Sequence, residues 1–272
     1  MDKIRLEDLK DAVPIAVGGQ KRVYKGNLAE YGDVVFKQCE FESTTSLERL
    51  HREVEALRTL DSPYFPKQFQ FNIYITEKQF ESIEEYIPGQ TLRNQMYKFS
   101  EEKEILSLLL QLTEGLKLLW ERDIVHRDLK PENIIIRQDH SPCILDLGIA
   151  RFLGKESLTK TIYPYGPCTP AYAAPEQLTN KKNAIDQRTD FFVLGIVALE
   201  LFLGIHPFDP VIIGNSLSIP ENILERQFVV ETEQRIPSPK FKQFVEKTIK
   251  NEPFQRFRNY EMIQDFLKEA LR

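Results

Sequence analysis

An acid and an amide, five residues apart, dominate the chemistry that this sequence can support. Asp128 and Asn133 lie in the run from His126 to Asn133, His-Arg-Asp-Leu-Lys-Pro-Glu-Asn, between a helical pattern and an apolar strand pattern. The Asp128 carboxylate can accept the proton of an attacking hydroxyl, and the Asn133 amide oxygen can hold a metal ion on nucleotide phosphates. Lys130 lies between them and can neutralise charge on a moving phosphoryl group. The run therefore predicts a phosphoryl-transfer loop between a helix and a strand.

A second carboxylate, Asp146, follows the apolar stretch from Cys143 to Leu145 and precedes Leu-Gly. It is placed to hold metal together with Asn133. At these two motifs the chain resembles the catalytic domain of the eukaryotic-type (Hanks-type) serine/threonine protein kinases. The resemblance implies ATP as the phosphoryl donor, Mg²⁺ as the metal with Mn²⁺ as a second option, and a protein serine or threonine hydroxyl as the acceptor.

The resemblance covers nearly the whole chain and implies an α+β fold with two lobes. The smaller lobe is expected to be mostly β with one key helix, and the larger lobe to be mostly helical. We place the first lobe at about residues 1–84, the hinge at about 85–89 and the second lobe at about 90–272. A length of 272 residues with 42% hydrophobic residues is sufficient for the core of such a domain.

Composition excludes several other partners. The net charge is −5, from 36 basic and 41 acidic residues, so no basic excess points to nucleic acid or an anionic membrane. Three cysteines lie far apart and show no disulfide or zinc spacing, which fits a reducing compartment. The strongest apolar run, Phe191 to Ile205, is interrupted by Glu200 and is too short to span a bilayer. We therefore expect a cytoplasmic protein without a membrane segment, and the sequence leaves its oligomeric state open.

The first three predicted strands surround a short glycine turn. Their predicted bounds are Val13–Val17, Arg22–Leu28 and Asp33–Gln38. Aligned on Val23, the chain keeps one glycine, Gly18, where the kinase family prefers three. The pair Gly18-Gly19 by itself is typical of an ordinary hairpin turn. With the resemblance, Val17, Gly18 and Val23 are expected to lie around the nucleotide.

Lys37 ends the run Val-Val-Phe-Lys within the third strand and resembles the family lysine that holds the α- and β-phosphates. A helix is predicted from about Thr44 to Leu60, where Glu53, Leu57 and Leu60 share one face. Glu53 on this face is expected to reach Lys37 and to orient it toward ATP.

Two further strands, near 69–75 and 79–86, lead into a segment that resembles the hinge. The backbone near Glu85 and Ile87 would bind adenine, and Ile135 and Val23 would enclose its ring. Glu84 falls where the family usually has an apolar residue or threonine. A carboxylate there either finds a polar partner or takes up a proton, and a register error of one residue is a comparable alternative.

The polar stretch from Asp146 to Glu176 resembles the activation segment and ends in Ala-Pro-Glu, and with the following Gln177 this motif is similar to that of prokaryotic members. Arg127 would pair with a phosphate placed on Thr159 or Thr161 by autophosphorylation. Thr169 resembles the hydroxyl residue that contacts the catalytic aspartate and lysine.

Several supporting elements follow from the same resemblance. A leucine-rich helix is predicted over Glu101–Glu121 with Ser100 as its N-cap. Asp190 would open the apolar helix and support the catalytic loop. An ion pair is predicted between Glu176 and Arg256, because both charges are expensive to bury alone.

Two other classes of protein remain as alternatives. A catalytically impaired pseudokinase that acts as a binding module is favoured only by the eroded glycine turn. A small-molecule phosphotransferase of related fold is less compatible with Lys130 and the Ala-Pro-Glu motif.

Overall fold

The computed structural model describes residues 3–18, 21–40, 58, 60–146 and 168–272, and for Val17, Gly18 and Lys21 it describes the backbone alone. The described chain forms two compact units, which divide between Pro88 and Gly89. The first unit is mostly β and the second mostly helical, as the α+β prediction requires.

The first unit is built on one antiparallel sheet with the strand order β1-β2-β3-β5-β4. The first three strands extend beyond their predicted bounds, because backbone pairing continues through flanking residues that an apolar pattern does not mark, whereas the last two agree with the predictions to within one residue at each end. The bounds are Lys10–Gly18 (β1), Lys21–Leu28 (β2), Gly32–Glu40 (β3), Gln68–Tyr74 (β4) and Gln79–Glu85 (β5).

The two faces of this sheet carry different residues, because side chains alternate along a strand. One face buries Val34, Phe36 and Ile83 in a core cluster with Leu9 and Leu28. The opposite face of β3 and β5 carries the polar residues that bear on the candidate site. The predicted helix from Thr44 to Leu60, which includes Glu53, lies outside the described residues except for its end.

The second unit combines a small sheet with eight helices among the described residues. The sheet pairs β6 with β7 and β7 with β8 in antiparallel fashion. The strands are Gln90–Thr91 (β6), Ile134–Ile136 (β7) and Pro142–Ile144 (β8). The helices are Leu92–Gln95 (α1), Glu102–Trp120 (α2), Pro175–Leu178 (α3), Gln187–Leu203 (α4), Pro210–Ile213 (α5), Ile219–Glu225 (α6), Pro239–Thr248 (α7) and Tyr260–Ala270 (α8).

Helix α4 is the centre of the second unit. Every residue from 189 to 202 is buried, and the helix packs against α2 and α7. Gly195 allows the approach to α7, because a β-carbon there would lie 2.3 Å from Thr248 Oγ1. The apolar run noted in the sequence is thus a core helix, and no helix of the described chain is long and apolar enough to cross a bilayer.

Three details differ from the sequence predictions. Ser100 is not the N-cap of α2. Glu101 occupies that position, and its backbone N–H donates to the Glu104 carboxylate at 3.3 Å. Helix α4 begins before Asp190, at Gln187, because the Asp186 side chain caps it. The stretch 206–236, whose prolines and glycine indicate loops around one helix, holds two short helices, α5 and α6.

Candidate active site

The loop from His126 to Asn133 is held at its start by the buried carboxylate of Asp190. The backbone N–H groups of His126 and Arg127 donate to Asp190 Oδ2 and Oδ1, each at 3.0 Å. Arg127 has a φ of 64°, in the left-handed region that non-glycine residues rarely adopt. Such a conformation persists where its surroundings hold it. Here this conformation is held by the two N–H groups that converge on Asp190 and by the Gln177 side chain, which donates to Arg127 O at 2.9 Å.

A third donor to Asp190 comes from Trp120, the single tryptophan of the chain. Its indole Nε1 donates to Asp190 Oδ2 at 2.9 Å from the end of α2. Burial raises the pKa of the Asp190 carboxyl, while His126, the indole and the two backbone N–H groups act against that rise. Sequence reasoning missed Trp120, and the one available signal was a tryptophan at the end of a leucine-rich helix.

His126 connects the loop to the strand that precedes Asp146. Its Nδ1 accepts from the Asp128 backbone N–H at 3.3 Å, so Nε2 is the ring donor to Leu145 O at 3.0 Å. The Leu145 N–H in turn donates to Asn133 O at 2.8 Å, which continues the pairing of β7 with β8. The backbone thereby brings the two candidate metal ligands, Asn133 and Asp146, to the same end of this sheet.

The donor chemistry at Asn133 fits a hard divalent cation. Its Nδ2 donates to Asp128 O at 2.9 Å and to Asp128 Oδ2 at 3.3 Å, so its amide oxygen is the atom that a cation would take. Asp146 supplies carboxylate oxygens and has a φ of 53°, a second left-handed residue in the region. Oxygen ligands of this kind suit Mg²⁺ and Mn²⁺.

Asp128, Lys130 and Thr169 meet although Thr169 is about 40 residues away along the chain. The Thr169 hydroxyl donates to Asp128 Oδ1 at 2.7 Å and accepts from Lys130 Nζ at 2.8 Å. Lys130 Nζ also lies 3.5 Å from Asp128 Oδ2. A hydroxyl is thus held between a carboxylate that can accept a proton and an ammonium that can stabilise negative charge.

A partly buried network beside this loop was not predicted. Arg93 on α1 donates through Nε to Glu132 and through Nη1 to Glu200, both at 2.7 Å, and through Nη2 to Tyr172. Burial alone would lower the pKa of Arg93, but its bonds to Glu200 and Glu132 outweigh burial and raise it. Burial and Glu200 raise the pKa of Tyr172. The sequence contains one indication of this network. Glu200 lies within an apolar helix, and a carboxylate buried there requires a cation.

In the first unit, Lys37 pairs with Glu84. Lys37 Nζ lies 2.6 Å from Glu84 Oε2, and the two side chains are 11% and 12% exposed. Of the alternatives left open for Glu84, the structure supports a polar partner. The predicted partner of Lys37, Glu53, lies outside the described residues.

The residues predicted to contact adenine are described within each unit. Val23 is buried in β2 and pairs with Lys37, while Ile135 is the central and partly exposed residue of β7. The N–H of Glu85 donates to Lys67 O at 2.9 Å, so Glu85 could meet adenine through its carbonyl oxygen only. Ile87 is buried. Val17 and Gly18 belong to β1, where their backbone alone is described.

The end of the predicted activation segment is anchored in the second unit. Arg256 Nη1 and Nη2 donate to Glu176 Oε1 and Oε2 at 2.7 and 2.8 Å, which is the predicted ion pair. Both side chains are almost fully buried. The predicted phosphorylation sites Thr159 and Thr161 lie outside the described residues.

Comparison with known proteins agrees with this geometry. The family model for the protein kinase domain matches residues 11–267. The chain is 29% identical over 203 residues to the probable serine/threonine-protein kinase PknB of Lactococcus lactis. This alignment covers 72% of this chain and 31% of that protein. It is 30% identical over 219 residues to the serine/threonine-protein kinase Nek2 of Mus musculus. This alignment covers 75% of this chain and 48% of that protein. A probable L-type lectin-domain containing receptor kinase VI.1 of Arabidopsis thaliana is 29% identical over 208 residues, or 73% of this chain and 29% of that protein.

The chain belongs to the protein kinase family, since the family model matches most of its length. The resemblance inferred from the motifs and the α+β fold in two lobes are thereby confirmed. Membership implies the use of ATP and a divalent metal in general. The chain spans between 29% and 48% of the length of these three relatives.

Proposed function

We propose that this chain is a serine/threonine protein kinase that transfers the γ-phosphoryl group of Mg-ATP to protein hydroxyls. The observation that carries the proposal is the Thr169 hydroxyl between Asp128 and Lys130. An aliphatic hydroxyl at this distance from the carboxylate has the geometry that proton transfer to a general base requires. The names of the relatives PknB and Nek2 support the same specificity.

In the proposed reaction each residue has one task. Asp128 accepts the proton of the attacking hydroxyl, and Lys130 stabilises charge on the transferred group. Asn133 and Asp146 hold the divalent metal, which neutralises phosphate charge when bound. Lys37 orients the phosphates, with Glu53 as a further carboxylate for it.

The remaining nucleotide contacts are proposed for each unit separately, and the boundary along the chain falls after Pro88. We place the hinge at residues 85–89, with the carbonyl of Glu85 and the backbone of Ile87 as partners of adenine. In the first unit we propose Val17, Gly18 and Val23 as contacts of the nucleotide, and in the second unit we propose Ile135. Gly89 suits this boundary, because its φ is 157° and a β-carbon would lie 2.5 Å from Ile136 O.

The test is an assay of purified protein with γ-labelled ATP, a divalent metal and a generic acceptor protein. We expect label on serine and threonine of the acceptor, no transfer after chelation of the metal, and restoration by Mg²⁺ or Mn²⁺. Nucleotide binding without transfer would instead favour the binding-module alternative. Label on a small molecule and not on protein would favour a small-molecule phosphotransferase.

We further propose that the Arg127 guanidinium binds a phosphate group on Thr159 or Thr161 and that this contact regulates activity. A phosphate adds about −1.5 to −2 charges and can accept two hydrogen bonds from one guanidinium. Incubation with ATP should therefore modify this segment, as seen by mass spectrometry. A Thr159→Ala, Thr161→Ala double variant should lose about 5- to 150-fold in activity, the range of a typical coupling between sites. A fully active double variant or an unmodified segment would contradict this regulation but not the kinase activity.

A further inference from the structure

The pairing of β3 with β5 sets the position of the Lys37 ammonium. Lys37 lies opposite Ser82 in the strand register, and Val35 lies opposite Glu84. Lys37 and Glu84 are therefore diagonal neighbours on one face of the sheet, within reach of long side chains. The 2.6 Å ion pair follows from this register.

The Glu84 carboxylate is itself held in place. Its Oε2 accepts from Lys37, and its Oε1 accepts from the Ser82 hydroxyl at 3.3 Å. Ser82 is 2% exposed, and the charged pair is about nine-tenths buried. A carboxylate with a donor on each oxygen has a defined orientation, so it defines the position of the ammonium that it binds.

We propose that Glu84 is a positioning residue that holds Lys37 from within the sheet for phosphoryl transfer. This rests on the proposed function, in which Lys37 orients the phosphates of ATP. Lys37 then has a carboxylate whose place is set by strand pairing, independently of Glu53.

Loss of Glu84 should affect turnover more than nucleotide affinity. An ammonium that has lost the Glu84 carboxylate would be held less firmly against the phosphates, and a misplacement of about 1 Å can cost about 100-fold in rate. The affinity for Mg-ATP is subject to two opposite effects. Removing the carboxylate loosens Lys37, which weakens binding, but it also removes a negative charge near the phosphates, which strengthens binding. We therefore expect Glu84→Leu to lower kcat by about 10- to 100-fold, with little change in the dissociation constant for Mg-ATP.

The experiment combines kinetics with chemical labelling of Lys37. Wild type, Glu84→Leu and the nearly isosteric Glu84→Gln are compared by kcat, by nucleotide affinity and by the rate at which an amine-directed reagent modifies Lys37 without nucleotide. Labelling of Lys37 should rise several-fold in Glu84→Leu. Glu84→Gln keeps an acceptor oxygen for Lys37 and should fall between wild type and Glu84→Leu in both readouts.

Glu81→Gln is the matched control. Glu81 lies on the same strand but on the opposite face, where it is 9% exposed and accepts from Gln38 Nε2 and Tyr74 Oη at 3.1 and 3.0 Å. Its substitution should leave both kcat and the labelling of Lys37 at the wild-type value. Circular dichroism and thermal unfolding of each variant verify that the comparison is between folded proteins.

The outcomes separate this inference from the proposed function. Unchanged labelling of Lys37 in Glu84→Leu overturns the inference, and so does increased labelling with unchanged kcat. Either result leaves the kinase activity of the wild type standing. Wild-type protein that transfers no phosphoryl group overturns the proposed function, and the positioning role falls with it.

Discussion

Asp128→Asn is expected to lower kcat for phosphoryl transfer by about 100- to 10,000-fold, the usual contribution of a general base. An amide cannot accept the proton that the attacking hydroxyl loses. The backbone contacts of residue 128, with the His126 ring and with Asn133 Nδ2, do not depend on the carboxylate. The loop should therefore keep its conformation, and the affinity for Mg-ATP should stay close to that of the wild type.

The measurement is single-turnover transfer of labelled phosphate beside titration with a fluorescent nucleotide. Asp139→Asn is the matched control, since Asp139 lies in the turn between β7 and β8. Its Oδ1 accepts from the Ser141 N–H and hydroxyl, and an asparagine retains that acceptor. The control should have wild-type activity. Near-native turnover of Asp128→Asn would show that the base lies elsewhere.

Arg256→Met is expected to lower the free energy of unfolding by about 3–5 kcal/mol, the cost of removing one partner of a buried ion pair. The loss leaves the Glu176 carboxylate, 2% exposed, with the Thr189 hydroxyl as its remaining side-chain donor. It also removes hydrogen bonds from the guanidinium to the carbonyls of Arg188, Lys250 and Asn251. Arg256→Lys should recover little, because an ammonium cannot form the forked contact with both carboxylate oxygens.

Urea denaturation of the Arg256 variants measures this effect. Lys240→Met is the control, since it removes an exposed ion pair with Glu269 and should leave the midpoint nearly unchanged. A double variant, Glu176→Leu with Arg256→Met, should lose less than the sum of the two single changes, because it leaves no unpaired buried charge. A loss below about 1 kcal/mol in Arg256→Met would show that the Glu176 carboxylate is stabilised by other groups.

The structure also explains why some elements were predicted more accurately than others. The helices α2 and α4 follow from apolar periodicity or a continuous apolar run, which are local properties of the chain. Their first residues were less accurate: the N-cap of α2 is Glu101 and not Ser100, and α4 begins at Gln187 and not at Asp190. The first three strands of the first unit were predicted too short, because the residues at their ends pair through the backbone alone.

The sequence by itself determined the chemistry of the catalytic loop, because Asp128, Lys130 and Asn133 belong to one short run whose spacing is set by covalent connection. It also placed Asp146 after a strand, and it identified the family that the comparison with known proteins confirmed.

The tertiary structure decided which distant groups meet these residues. It placed Trp120 against the Asp190 carboxylate, Arg93 between Glu132 and Glu200, and Glu84 against Lys37. No local pattern encodes such contacts, because they depend on how helices pack and on which residues of two strands lie opposite one another. A shift of one residue in the pairing of β3 with β5 would turn Glu84 to the other face and away from Lys37. For that reason the partner of Glu84 stayed open until the register of the sheet was known.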